Sequence, residues 1–130
     1  MKIAQLIILT GLLTLGLACG YSKPATTPAQ AGTMPSISGL NPASQLSGGS
    51  AFLLTVNGTN FAADAVINFN GIAQTTKYVS STQLTATVSG SAIMNAGTVP
   101  VTVTNPGTSG GAYGGGTLPE TSAPMNFTVM

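Results

Sequence analysis

Residues 50–61 read Ser50-Ala-Phe-Leu-Leu-Thr-Val-Asn-Gly-Thr-Asn-Phe61, and residues 65–71 read Ala65-Val-Ile-Asn-Phe-Asn-Gly71. In the first stretch Phe52, Leu54 and Val56 alternate with Leu53 and Thr55, the period-two pattern of a strand that buries one face. Gly58 interrupts the pattern and predicts a bulge or tight bend, after which Phe61 turns back toward the core. In the second stretch Ile67 and Phe69 are expected to point inward. Asn70-Gly71, flanked by apolar residues, is the strongest short hairpin signal in the chain. Two strands that each run into Asn-Gly are thus the pair on which the other strands are laid.

Outward toward the C-terminus, residues 72–79 form the returning strand and Ser80-Ser81 a second turn. Residues 82–88 alternate cleanly, which places Leu84, Ala86 and Val88 inward and the hydroxyl side chains outward. Residues 90–97, holding Ile93 and Met94, predict a single helical turn across the end of the assembly. Val99, Val101 and Val103 make a further strand, Asn105-Pro106 ends it, and residues 127–129 close the fold. Toward the N-terminus, Met34-Pro-Ser-Ile-Ser-Gly-Leu-Asn-Pro42 carries the anchors Ile37 and Leu40. Its two prolines lack the N–H that a central strand needs, so the segment is expected at a sheet edge. The result is an all-β domain over residues 34–130.

Residues 107–124 interrupt this regularity. They hold Gly110-Gly111, Tyr113, Gly114-Gly-Gly116 and Glu120, and are several times longer than the roughly 2–5 residues of an ordinary hairpin loop. Such a loop is either a flexible connection or a binding loop carried on a rigid scaffold. In the second case Tyr113 and Glu120 are the candidate contact residues.

Composition narrows the function. Lys2, Lys23, Lys77, Asp64 and Glu120 are the only charged side chains, and there is no His or Arg. Ordinary soluble domains carry about 25% charged residues. Phosphate binding needs clustered cations, so nucleic acid is excluded as a partner. Cys19 is the only cysteine, so no internal disulfide can form; a domain of this size can bury a sandwich core without one.

The N-terminus explains Cys19. Met1-Lys2 is a short cationic start, and residues 3–17 are apolar apart from Gln5, Thr10 and Thr14. That run falls short of the roughly 20 residues of a membrane span and fits the apolar region of a signal peptide over residues 1–18, expected to be helical. It ends in Leu15-Gly-Leu-Ala-Cys19-Gly-Tyr-Ser, which resembles the lipobox of bacterial lipoproteins. The resemblance implies that Cys19 is acylated and becomes the first residue after cleavage, with membrane lipid as its partner. Several acyl chains hold firmly, since each buried methylene contributes about 0.8 kcal/mol. Gly20 after the Cys is compatible with an outer-membrane destination. Gly16-Leu-Ala18 is also an ordinary small-x-small cleavage site, and cleavage there would leave the protein secreted. Residues 19–33, with two prolines and almost no bulky apolar side chain, read as a flexible linker that reaches roughly 45 Å when extended.

The ordered set Pro35-x-Ile37-x-x-Leu40-x-Pro42, Gly48-Gly49, Leu54-x-Val56-x-Gly58-x-x-Phe61, Val66, Asn70-Gly71, Val79-Ser-Ser-Thr-Gln-Leu84, Ala96-Gly97, Val101-x-Val103-x-Asn105-Pro106 and Phe127-x-Val129 resembles the IPT/TIG family of immunoglobulin-like domains. The resemblance implies an early-set immunoglobulin-like antiparallel β-sandwich of about seven strands, without the antibody-type disulfide. It supplies no catalytic residues, and family members serve as interaction or spacer modules. The 107–124 insertion departs from the family pattern and inherits no role from it.

Direct chemistry finds little support. Lys77 near Ser80 and Ser81 is a strand-edge cation beside a turn, not a nucleophile–base pair. Asp64 and Glu120, the two carboxylates of the chain, fall in a tight turn and in the long loop instead of flanking one bond as paired catalysis requires, and are too few for a metal centre. No catalytic residue, metal or cofactor is therefore expected. Sugar recognition relies on exposed aromatic faces, and with the four phenylalanines assigned to the core and Tyr21 to the linker, Tyr78 and Tyr113 are left for it. The expected function is a non-enzymatic, membrane-anchored module for protein–protein interaction or adhesion at the bacterial cell envelope. A structural spacer lipoprotein and a carbohydrate-binding module are the alternatives.

Overall fold

The structure, a computed structural model, describes residues 30–111 and 114–130. The strands are β1 (Ser36–Asn41), β2 (Ser44–Gln45), β3 (Phe52–Thr59), β4 (Val66–Phe69), β5 (Ile72–Ala73), β6 (Thr76–Ser80) and β7 (Gln83–Val88). After a 3₁₀ turn (Gly90–Ile93) come β8 (Gly97–Asn105), β9 (Thr108–Gly111), β10 (Gly114–Thr117), β11 (Glu120–Thr121) and β12 (Met125–Val129). One sheet has the order β1-β3-β7-β6; the other has the order β2-β12-β8-β4-β5, with β11 also paired to β8. Strands β1, β3, β6 and β7 face β4, β8 and β12, which makes the expected seven-stranded sandwich. The remaining short strands extend its margins. The helix expected for a signal peptide over residues 1–18 and most of the linker expected over residues 19–33 fall outside the described residues.

Alternation builds the core as expected. Leu54, Val56, Ile67, Phe69, Leu84, Ala86, Val88, Val101 and Val103 are all buried between the sheets. Three rings anchor one end: Phe127 stacks on Phe52 at 5.4 Å, and Phe69 meets Phe127 edge-on at 5.3 Å. Such pairs add about 0.5–1.5 kcal/mol beyond the area they bury. Ile93, fully buried, is driven in from the 3₁₀ turn and caps this end. β1 is an edge strand, as expected from Pro35 and Pro42 on either side of it.

Three local expectations change. The register irregularity near Gly58 lies on the partner strand: Ile37 pairs with Gly58 and Gly39 with Asn57, so Ser38 is the extra residue. Gly58 itself is required by close approach, because a Cβ there would collide with the Ser36 carbonyl oxygen and the Phe61 ring.

The segment after Asn70-Gly71 is not one strand. Ile72–Ala73 pairs with β4, whereas Thr76–Ser80 pairs with β7 in the opposite sheet. The crossing is held by Gln74 N–H donating to the Ile67 carbonyl (2.8 Å) and Ile67 N–H donating to Thr76 Oγ1 (2.8 Å).

The 107–124 segment, expected as a long loop, is largely paired. β9 and β10 form a hairpin, and β11 joins β8 through Glu120 opposite Asn105. Thr108 and Thr117 clamp the hairpin base: each backbone N–H donates to the other's Oγ1 at 3.0 Å. The glycines let two backbones come together where a Cβ on Gly110 or Gly116 would meet the opposite strand.

Candidate functional site

The two ends of the sandwich differ in kind. At one end the chain enters. Gln30 N–H donates to the Gly116 carbonyl (3.0 Å), and its own carbonyl accepts from Leu118 N–H (2.8 Å), so contacts with the domain begin four residues before the expected boundary at Met34. Asn105, 6% exposed at the end of β8, is the pin of this entry end. Its Nδ2 donates to the carbonyls of Thr33 and Asn60, both at 2.8 Å, and its Oδ1 accepts from Ala62 N–H at 3.0 Å. One side chain thereby ties Thr33 to the loop between β3 and β4.

At the other end lies a cleft of about 530 Å³, between the β4–β5 turn, the 3₁₀ turn and the start of β8. This is within the roughly 300–1,000 Å³ of ordinary binding pockets. Phe69 and Val99 lie on its wall; Asn70, Gln74, Ser91 and Asn95 supply amides and hydroxyls. Ile72 (65% exposed) and Met94 (62% exposed) are apolar side chains left in solvent, and none of the lining residues is charged. The site is shaped by backbone chemistry. Asn70 and Gly71 both have positive φ (55° and 78°), the twist of a two-residue hairpin turn that projects Ile72 immediately beyond it.

The apolar character extends beyond the cleft. Gly48 N–H donates to the Ile93 carbonyl (2.8 Å), and Ser47 N–H donates to the Met130 carbonyl (2.7 Å). These bonds draw Leu46 (67% exposed) and Met130 (56% exposed) to the same end as Met94. β8 connects the two ends: Val99 lines the cleft and Asn105 holds the linker. At about 3.4 Å per residue these positions are roughly 20 Å apart.

Of the candidate site residues singled out in the sequence, none of those described lines the cleft. Cys19 and Tyr113 fall outside the described residues. Glu120 is partly buried in β11 at the entry end, away from the cleft. Ser80 Oγ is engaged with Thr82 in its turn (3.0 Å), while Lys77 stands exposed on β6 opposite Thr85. Asp64 is exposed in the turn closed by Ala65 N–H donating to the Ala62 carbonyl (3.0 Å). Tyr78 is on β6 and Phe69 is 1% exposed, so the cleft presents no aromatic face to a sugar. Among the described residues no three His, Cys or acidic side chains converge as metal ligands. Ile72, Ala73 and Met94 were not legible as site residues. Only the apolar residue just after Asn-Gly and the Met at the end of a one-turn helix hinted at them.

Comparison with known proteins gives one finding. The model of the IPT/TIG domain family matches residues 35–119, close to two thirds of the chain. The fold continues past that match, because β12 pairs with β8 as far as Val129. Neither a curated protein nor a solved structure matches the chain.

Proposed function

Because the chain belongs to the IPT/TIG family of non-catalytic immunoglobulin-like domains, we propose that it is a lipid-anchored module for protein–protein interaction at the bacterial cell envelope. The observation that carries this proposal is the uncharged, apolar-rimmed cleft about 20 Å along β8 from the residue that holds the linker. On this reading Cys19 is acylated, residues 20–29 span the distance from the bilayer, and the cleft end is directed away from the membrane toward a partner. The low charge fits recognition by shape and apolar contact instead of electrostatic steering, so association is expected to depend little on salt.

Two substitutions test the two halves of the proposal. Cys19→Ala is expected to move the protein from the membrane fraction to the soluble envelope fraction; an unchanged membrane partition contradicts lipid anchoring. Met94→Lys puts a cation into the cleft rim at an exposed position and is expected to leave the fold intact while abolishing co-purification of the envelope partner. Full retention of the partner by that variant moves the interaction to another surface.

A further inference from the structure

The cleft lies beside the open backbone edge of β5. β5 pairs with β4 through Asn68↔Ala73 and Phe69↔Ile72, and among the described residues no strand pairs with its other side.

The hairpin register determines which groups of β5 are free. In a two-residue hairpin the pair flanking the turn, here Phe69 and Ile72, exchanges both backbone hydrogen bonds, and the next pair directs its polar groups outward. The neighbouring ladder agrees: Asn70 N–H donates to Pro100 on β8 (2.9 Å), and the Ile67 carbonyl accepts from Gln74 on the β5 side (2.8 Å). By this alternation the N–H and C=O of Ala73 face away from β4. Ala73 is exposed and lines the cleft.

We infer that the cleft is a strand-addition site, in which an extended, uncharged segment of a partner protein pairs with Ala73 along β5 and seats an apolar side chain between Ile72 and Met94. This rests on the reading of the chain as an interaction module and names the class of ligand for its cleft. Main-chain pairing supplies affinity in such complexes, and pockets for alternate side chains supply selectivity. An extended partner matches the outward-facing backbone of Ala73 on β5. A neutral one matches a cleft without a charged wall, where an unpaired charge on the ligand would be left without a counter-ion. Asn70, Gln74 and Asn95 provide donors and acceptors for polar side chains of the same segment.

The test is selection of a phage-displayed random heptapeptide library on the detergent-solubilised full chain. The expected outcome is enrichment of uncharged peptides with alternating apolar residues, whose binding slows hydrogen exchange at the Ala73 amide at least tenfold. Met94→Lys and Ala73→Pro are each expected to weaken these peptides at least tenfold, while Ala73→Val, which keeps the N–H, retains them. Pro is compatible with an edge position whose N–H is outside the ladder, and an unchanged melting temperature checks that the fold survives. Enrichment of charged peptides, no enrichment, or binding that survives Ala73→Pro overturns the inference. So does a concentration-dependent dimer abolished by Met94→Lys, which would give the cleft to a second copy. If a partner protein contacts Met94 in cells while no heptapeptide binds, the interaction module stands and strand addition falls.

Discussion

Gly58 and Asn105 carry constraints out of proportion to their size. Gly58 sits near the end of β3, where Phe61 and the Ser36 carbonyl occupy the space of a side chain. Gly58→Ala forces those backbones apart and is expected to cost about 2–3 kcal/mol, the upper range for overpacking in a tight core. It would be read as a lower midpoint in urea denaturation with an unchanged slope. Asn105→Ala removes three hydrogen bonds and leaves Ala62 N–H and the Thr33 and Asn60 carbonyls unpaired. A loss of about 2–4 kcal/mol follows from unsatisfied polar groups, with faster hydrogen exchange at Ala62. These two residues differ in how legible they were. A glycine inside an alternating strand announces close packing or a bulge, although which strand carried the bulge depended on Ser38 across the ladder. Asn105 read only as the polar residue before Pro106 that ends a strand. Its three partners lie 45, 43 and 72 residues away, and no local pattern records such distant contacts.

Among the elements, the strands that alternate cleanly were legible down to the face of each residue. β3, β7 and β8 bury the side chains their periodicity assigns, because one dry face and one wet face leave a single workable register. Two elements were not legible. The switch from β5 to β6 depends on Gln74 and Thr76 bonding to Ile67, polar contacts that a run of mixed residues does not advertise. The β9–β10 hairpin was hidden by its glycines, which usually signal looseness but here permit two backbones to touch. Its pairing rests on Thr108 and Thr117. Thr108→Val is expected to raise hydrogen exchange across β9 and β10 while lowering global stability by less than about 1 kcal/mol, since the hairpin lies outside the two core sheets. An equal loss of protection in β3 and β7 would show instead that the hairpin is integral to the core.

At the scale of the molecule, the two ends of the sandwich are distinct. Asn105 holds Thr33 at one end, the cleft opens near Val99 at the other, and β8 runs between them. The aromatic cluster of Phe52, Phe69 and Phe127 lies behind the cleft and stiffens it. Phe127→Ala is expected to destabilise the domain by about 3–5 kcal/mol, and calorimetry would show it as a much lower melting temperature. The architecture was legible because core anchors, turns and edge prolines recur in a fixed order along the chain. The cleft was not, because it arises where two sheets part company, and it is made of residues that each look ordinary in sequence. The central claim is that this cleft end meets the partner. Site-specific photocrosslinking in intact cells tests it directly, with a benzophenone side chain placed at Met94 and, in a separate strain, at Leu118 near the entry end. A discrete protein adduct from Met94 and none from Leu118 is the predicted result; an adduct from Leu118 with none from Met94 would contradict it.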